Sequence, residues 1–218
     1  MAVTFPNETK QYRTARKKLL DAELALRRQI EKVAAMRRKL PPGGELAEDY
    51  VFTSQQGPVK LSELFQRGST LVAYSFMYGP QMKHACPMCT SFLDGLDGNA
   101  QHIAQRTNLV VIAKSPIERI LEYARGRGWR NLRLVSSAGT SYNRDYHGEN
   151  ADGAQRPMLN VFQRDGGEIR HFWASELFYA PTDPGQDPRH VGTIEALWNL
   201  LDLTPGGRPA VWDEQLNY

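Results

Sequence analysis

Thr70-Leu71-Val72-Ala73-Tyr74-Ser75-Phe76-Met77-Tyr78, closed by Gly79-Pro80 and followed after a short loop by Cys86-Pro87-Met88-Cys89, decides how this chain reads. A mostly apolar run of this length, bounded by turn residues, is a strand buried on both faces, as a parallel sheet covered by helices requires. The Cys-x-x-Cys that follows opens a helical pattern carried by Phe92, Leu93, Leu96, Ala100, Ile103 and Ala104. Pro87 suits the first helical position, which makes Cys86 the N-cap and Cys89 the N3 residue, one turn further in. A sulfur at the N-cap meets unsatisfied backbone N–H groups at the positive end of the helix dipole, and both favour thiolate over thiol. Cys86 is therefore expected to be the more exposed, more acidic sulfur. Cys89 is expected close enough to resolve a mixed disulfide formed on it. Lys83 and His84, just upstream, could add positive charge.

Working outward, residues 50–60 read as a short hairpin around Gln55-Gln56-Gly57-Pro58, and Leu61-Ser62-Glu63-Leu64-Phe65 as one helical turn. Leu109-Val110-Val111-Ile112-Ala113 is the next strand. Ser115-Pro116-Ile117-Glu118 predicts a capped helix start with Ser115 as N-cap and Glu118 at N3, and Gly126 or Gly128 its end. Leu132-Arg133-Leu134-Val135-Ser136 is a further strand, and residues 137–155 are polar and loop-rich. Pro157-Met158-Leu159-Asn160-Val161-Phe162 and Glu168-Ile169-Arg170-His171-Phe172-Trp173 flank Asp165-Gly166-Gly167 as an antiparallel hairpin. Asp187-Pro188 can start a helix carrying Val191, Ile194, Leu197, Trp198 and Leu201 on one side. Strand, helix, strand, helix, strand and then a hairpin is an α/β layer pattern with a mixed sheet.

These elements resemble the thioredoxin fold at three separated places: Cys86-Pro87-Met88-Cys89 after the first core strand, Pro157 opening a late strand, and the turn Asp165-Gly166-Gly167. The resemblance implies a cis Arg156-Pro157 bond that faces the dithiol. From Val110 to Asp145 the layout is more similar to the peroxiredoxin branch. There the peroxidatic cysteine aligns with Cys89, a Thr or Ser normally stands where Cys86 is, and an arginine, here Arg156, stabilises the thiolate. This chain lacks that Thr or Ser. Over nearly its full length, including Pro41-Pro42-Gly43-Gly44, Met82-Lys83-His84-Ala85 and Trp198-Asn199-Leu200-Leu201-Asp202-Leu203-Thr204-Pro205, the chain resembles a bacterial thioredoxin-like family catalogued as a domain of unknown function.

Composition agrees with a folded α/β protein. The 218 residues are 41% hydrophobic, 10% aromatic and 23% charged, enough apolar surface for a sizeable core. There is no run of 18 apolar residues, so no membrane span is expected. Met1-Ala2-Val3-Thr4-Phe5-Pro6 has neither the basic nor the apolar region of an export signal, so the expected location is cytoplasmic. Two cysteines three apart suit redox or metal chemistry better than a structural staple.

The net charge of +3 is uneven. Residues 8–39 carry eleven Lys or Arg against four Asp or Glu, so this arm is +7 and the remainder −4. Tyr12, Leu19, Leu26, Val33 and Leu40 recur every seven residues, with Ala15, Ala22 and Met36 three places behind, a stripe that predicts one long helix needing something to lie on. That partner is the body of the protein or the same helix of a second chain, and the arm over residues 8–40 is a candidate homodimer element. Tyr12 is the one aromatic residue in this arm, whereas single-strand nucleic-acid binding requires aromatics interleaved with the basic residues.

Other chemistries have less support. His84, Cys86 and Cys89 offer three zinc-type ligands, but a fourth ligand or water is missing and there is no second Cys-x-x-Cys. Ser136-Ser137 lacks a nucleophile elbow. No Gly-x-Gly-x-x-Gly or phosphate loop occurs, so neither a metal nor a cofactor is expected. The expected organisation is an N-terminal helical arm over residues 1–49, a thioredoxin-like α/β domain over 50–175, its mixed central sheet flanked by helices, and a helical extension over 176–218. The expected function is thiol–disulfide oxidoreduction with Cys86 attacking and Cys89 resolving, and with Pro157, Arg156 and His84 in support. The substrate would be a disulfide or a peroxide, with a cellular reductant regenerating the dithiol. Two alternatives stay open: a peroxidase with Cys89 oxidised, and a non-catalytic adaptor that assembles through its long helix.

Overall fold

The computed structural model describes residues 3–208 and 215–216. The chain falls into two compact units, residues 1–41 and 42–218. The first is a single helix, α1 (Lys10–Arg38), with Thr9 as N-cap accepting the Tyr12 amide hydrogen. Its 29 residues span about 43 Å at 1.5 Å per residue. The heptad stripe is exposed in the single chain, Leu19 at 53% and Leu26 at 61%.

The second unit is built on one sheet of seven strands: β1 (Val51–Ser54), β2 (Gly57–Lys60), β3 (Thr70–Ser75), β4 (Asn108–Ala113), β5 (Leu134–Ser136), β6 (Met158–Asp165) and β7 (Glu168–Ala174). Their order is β2-β1-β5-β4-β3-β6-β7. β3 pairs parallel with β4, and β4 with β5. β6 runs antiparallel beside β3, with Met158 opposite Ser75, and β7 returns along β6. This mixed sheet with an antiparallel hairpin added next to the strand that leads to the cysteines is the thioredoxin-like arrangement expected from the sequence. The two parallel steps carry α2 (Pro87–Ile103) and α3 (Ile117–Arg127).

The apolar run in β3 serves both faces by strict alternation. Tyr74, Phe76 and Tyr78 pack with Cys89, Phe92 and Leu93, whereas Leu71 and Ala73 join Tyr50, Phe52, Leu61 and Phe162. β4 divides in the same way, Val111 and Ala113 on one side and Val110 and Ile112 on the other.

Buried polar side chains stitch the layers. Asp97 in α2 accepts the amide hydrogens of Arg130, Asn131 and Leu132 at 2.8–3.0 Å, which locks the helix to the segment entering β5. Asn108 accepts from the amides of Gln66 and Arg67 and donates to the carbonyls of Arg67 and Thr70. Such satisfied groups fix register without the desolvation cost of an orphan. The outer edge of β7 is covered by residues 43–46: Leu46 donates to Ile169, His171 donates to Gly44, and Glu45 bridges Arg170. Gly43 comes so close that a Cβ there would collide with the His171 carbonyl oxygen.

Several boundaries differ from the sequence reading. α3 starts one residue later than the capping box predicted, with Pro116 as N-cap and no side-chain cap. The Ser115 hydroxyl instead accepts from Arg119, while the Ser115 carbonyl accepts from Ser136. Gly128 ends α3 in the left-handed conformation, φ 76°, as glycine permits. Residues 137–155 hold a short helix, α4 (Tyr142–Asp145). The helix expected from Asp187 is only a 3-10 turn at Gly192–Ile194 followed by α5 (Ala196–Leu201). Gly192, at φ 61°, interrupts the helical path there.

Candidate functional site

The end of β3 and the start of α2 bring the two sulfurs together. Cys86 is the N-cap and Pro87 stands at the start of the helix, as the sequence predicted. The Cys86 amide donates to the Met77 carbonyl at 3.1 Å, tying the cap to the strand's exit. Its Sγ accepts the Cys89 amide hydrogen at 3.4 Å. Thr90 seals the first turn, its hydroxyl donating to the Cys86 carbonyl and sharing a 2.8 Å hydrogen bond with Tyr123. Cys86 is half-buried, whereas Cys89 is buried at 3% exposure, and the pair is in the dithiol form.

The two sulfurs differ electrostatically. Burial pushes the Cys89 thiol well above its ordinary value, and the hydrogen bond and charge of Cys86 push it further. Hydrogen bonds from the Tyr74 hydroxyl and the Met77 backbone oppose that rise without reversing it. Tyr74 lies beneath the pair, 2% exposed, with its ring 4.9 Å from that of Phe92. Burial first, and the neighbouring Cys89, keep its phenol neutral well above the usual range, with Cys86 and Glu195 adding to the effect.

The loop between β3 and α2 is held from below by a residue that the sequence reading missed. Arg119 of α3 donates to the carbonyls of Gly79, Pro80, Met82 and Lys83, with its guanidinium 4.3 Å from the Tyr78 ring centre. Gly79 in turn leans on Gln155, where a Cβ would come within 2.9 Å of the side chain.

Pro157 is brought to the dithiol: it lines one cavity with Cys86, Cys89 and Tyr74. Its peptide bond corrects the expectation, because no peptide among the described residues is cis and Arg156-Pro157 is trans. The chain enters β6 already extended, held by the Glu149–Gln155 bridge and by the Arg156 amide on the Gly148 carbonyl, so no reversal is needed there. Arg156 bonds Asn150 at 3.0 Å and lies 5.7 Å from the Phe178 ring centre, reaching the cavity through that ring. His84 is exposed on the loop ahead of Cys86.

That cavity, about 340 Å³, is roofed by the segment after β7. Phe178, His190, Val191, Glu195 and Trp198 face the dithiol across it. His190 is held neutral by burial, which lowers its pKa, and its ring meets Phe178 edge-on at 5.1 Å. Sequence reading assigned none of these a role, since nothing in residues 174–208 signals that the segment folds back over the sulfurs. Tyr74 could have been flagged, as a hydroxyl within an otherwise buried apolar run needs a partner. Among the described residues no three His, Cys, Asp or Glu side chains converge as metal ligands, and no helix is long and apolar enough to cross a membrane.

The solved structures similar to this chain include peroxidoxin BcpB from Mycobacterium tuberculosis, at 17% identity over 72% of this chain and 95% of that one, TM-score 0.49. A putative protein disulfide isomerase from Bacteroides thetaiotaomicron is 19% identical over 71% of this chain and 87% of its own, TM-score 0.46. Peroxiredoxin Q from Xanthomonas campestris is 14% identical over 61% of this chain and 84% of its own, TM-score 0.46. No curated protein sequence matches the chain. The family model described as "Bacterial protein of unknown function (DUF899)" matches residues 2–217, and the chain belongs to that family.

Proposed function

We propose that the protein is a thiol–disulfide oxidoreductase in which Cys86 is the nucleophile and Cys89 the resolving thiol. The observation that carries this reading is the asymmetry of the pair: a partly buried Cys86 capping the first turn of α2, and a fully buried Cys89 whose pKa is driven up. Thiolate is the reactive form, and exchange needs a reachable attacker with a second thiol one turn away. The same asymmetry argues against Cys89 as a peroxidatic residue, because burial raises its pKa and so disfavours the thiolate that peroxide would oxidise.

The experiment is a free-thiol titration of the reduced chain after exposure to a disulfide and, separately, to hydrogen peroxide, followed by peptide mass spectrometry. Loss of two hydrogens from the peptide holding Cys86 and Cys89, faster with disulfide, is the expected result. Sulfenic or sulfinic acid on Cys89 with Cys86 still reduced would replace this reading by the peroxidase. Two thiols that survive both treatments would leave a non-catalytic adaptor.

A further inference from the structure

The roof over the dithiol limits what can reach it. The residues facing Cys86 and Cys89 across the cavity are largely apolar, with Phe178, Val191 and Trp198 opposite Tyr74 and Phe92. The cationic groups at its rim are already engaged. Arg189 donates to Asp202 at 2.8 Å, and Arg208 donates to Asp202 at 2.9 Å and lies 3.5 Å from Asp187. An anionic substrate therefore finds both arginine heads taken and would have to displace a carboxylate.

Backbone donors beside Pro157 are also engaged. Pro157 has no N–H, the Arg156 amide goes to Gly148, and the Leu159 amide goes to the Ser175 hydroxyl. The Leu159 carbonyl takes the Ser175 amide, and Met158 is opposite Ser75 in β3. β6 is an interior strand with β3 on one side and β7 on the other. A peptide substrate held by main-chain pairing needs open donors as well as acceptors, and here the amides of Arg156 and Leu159 are taken while Pro157 has none.

We propose that the substrate is a small, uncharged, predominantly apolar disulfide that enters this cavity, and not a peptide or protein disulfide. The inference rests on the thiol–disulfide reading given above. A volume of about 340 Å³ falls at the low end of the about 300–1,000 Å³ typical of small-molecule pockets. The Cys86 thiolate attacks one substrate sulfur. The S–S bond breaks, one thiolate leaves and takes a proton from water, and a mixed disulfide remains on Cys86. Cys89 then gives up its proton and attacks Cys86 Sγ, expelling the second thiolate, which is protonated in turn. Two electrons pass from the dithiol to the substrate, and the Cys86–Cys89 disulfide is reset by a dithiol reductant.

The test uses the reduced full chain with three oxidants: dibutyl disulfide as the apolar probe, glutathione disulfide as the anionic one and insulin as the protein one. Each second-order rate is divided by that of dithiothreitol with the same oxidant at the same pH. The expected result is a normalised rate for dibutyl disulfide at least tenfold above both others, and any smaller margin overturns the inference. Val191→Trp, which fills the cavity, should slow dibutyl disulfide at least threefold, with a thermal melt checking that the variant folds. A smaller loss in a folded variant also overturns it. Failure of all three oxidants to form the Cys86–Cys89 disulfide would instead remove the oxidoreductase reading itself, whereas efficient insulin reduction would remove only the substrate class.

Discussion

The Sγ of Cys86 accepts the amide hydrogen of Cys89 at 3.4 Å, so the outer sulfur of the pair is bonded to the backbone of the inner one. Substituting either cysteine should expose this division of labour. The single thiol left in Cys89→Ser should react with iodoacetamide at least about tenfold faster at neutral pH than the one left in Cys86→Ser, the equivalent of about one pKa unit. Equal rates would show that the buried sulfur is reachable and would reverse the assignment.

Tyr74 is expected to act on Cys89 as a positioning residue. Its hydroxyl lowers the Cys89 pKa by hydrogen bonding and so favours the thiolate that the proposed resolution step needs. A hydrogen bond to a charged group contributes about 1.5–3 kcal/mol, so Tyr74→Phe should slow resolution by about tenfold or more and let the mixed disulfide on Cys86 accumulate. Acid-quenched mass spectrometry reads that intermediate. If the first attack slows and no mixed disulfide builds up, the residue serves packing only.

Arg119 gathers four carbonyls of the loop that ends at the dithiol. Arg119→Ala should destabilise the fold by about 1–3 kcal/mol, the cost of leaving such groups unpaired. It should also open the bond after Lys83 to trypsin. Lysine has no planar fork and should rescue little. An unchanged digestion pattern would mean that the loop holds itself.

Stability should fall on mild acidification. Burial lowers the pKa of both His171 and His190 below the ordinary 6.5. The unfolded chain then binds protons that the folded one refuses. The stabilisation is full above about pH 6.5 and is lost progressively as pH drops below that value toward the depressed folded pKa values. His171 Nε2 is 2.9 Å from Asn160 Oδ1, and a glutamine amide can donate in its place. His171→Gln should therefore flatten the melting temperature between about pH 7 and 5, with His190 accounting for what slope persists. A profile as steep as the native one would assign the acid sensitivity elsewhere.

The stripe on α1 is expected to join two copies of the chain. Two helices of charge +7 repel, so sedimentation mass should rise with salt as screening shortens the reach of the charges. Leu26→Glu should return the monomer. Nucleic-acid binding has the opposite salt dependence, and association that weakens with salt would mark the arm as a polyanion contact.

Legibility in the sequence followed locality. Leu71 to Tyr78 announced a strand buried on both faces because a mostly apolar run closed by Gly79-Pro80 is written into the residues themselves. Cys86 and Pro87 announced a helix start for the same reason. The Gly166-Gly167 turn, with both residues at positive φ, follows from glycine alone. What stayed hidden depends on residues far apart in the chain. Arg119 meets carbonyls 36 to 40 residues before it, and nothing in Ser115-Pro116-Ile117-Glu118 says so. The segment from Ser175 to Arg208 carries too little regular structure for periodicity to place it, yet it forms the roof of the site. Pro157 shows the converse. Its position beside the sulfurs followed from the fold resemblance, while its peptide geometry is governed by the Gly148 carbonyl and the Glu149–Gln155 bridge, which no local pattern encodes.

The strip at residues 43–46 has a bearing on the order in which the molecule assembles. Glu45 is bonded to Arg170, 125 residues downstream, and Gly43 fits only because it has no side chain to set against the His171 carbonyl. A chain emerging from the ribosome therefore presents this stretch long before its mate exists, and must hold it open while β1 to β6 are made. Closure over so long a loop is slow to find, since its entropy has to be spent before any contact returns it. Covering of the β7 edge by this strip is thus a late step in folding. Until it happens the last strand keeps a bare hydrogen-bonding edge, the feature through which nascent sheets pair with the wrong chain.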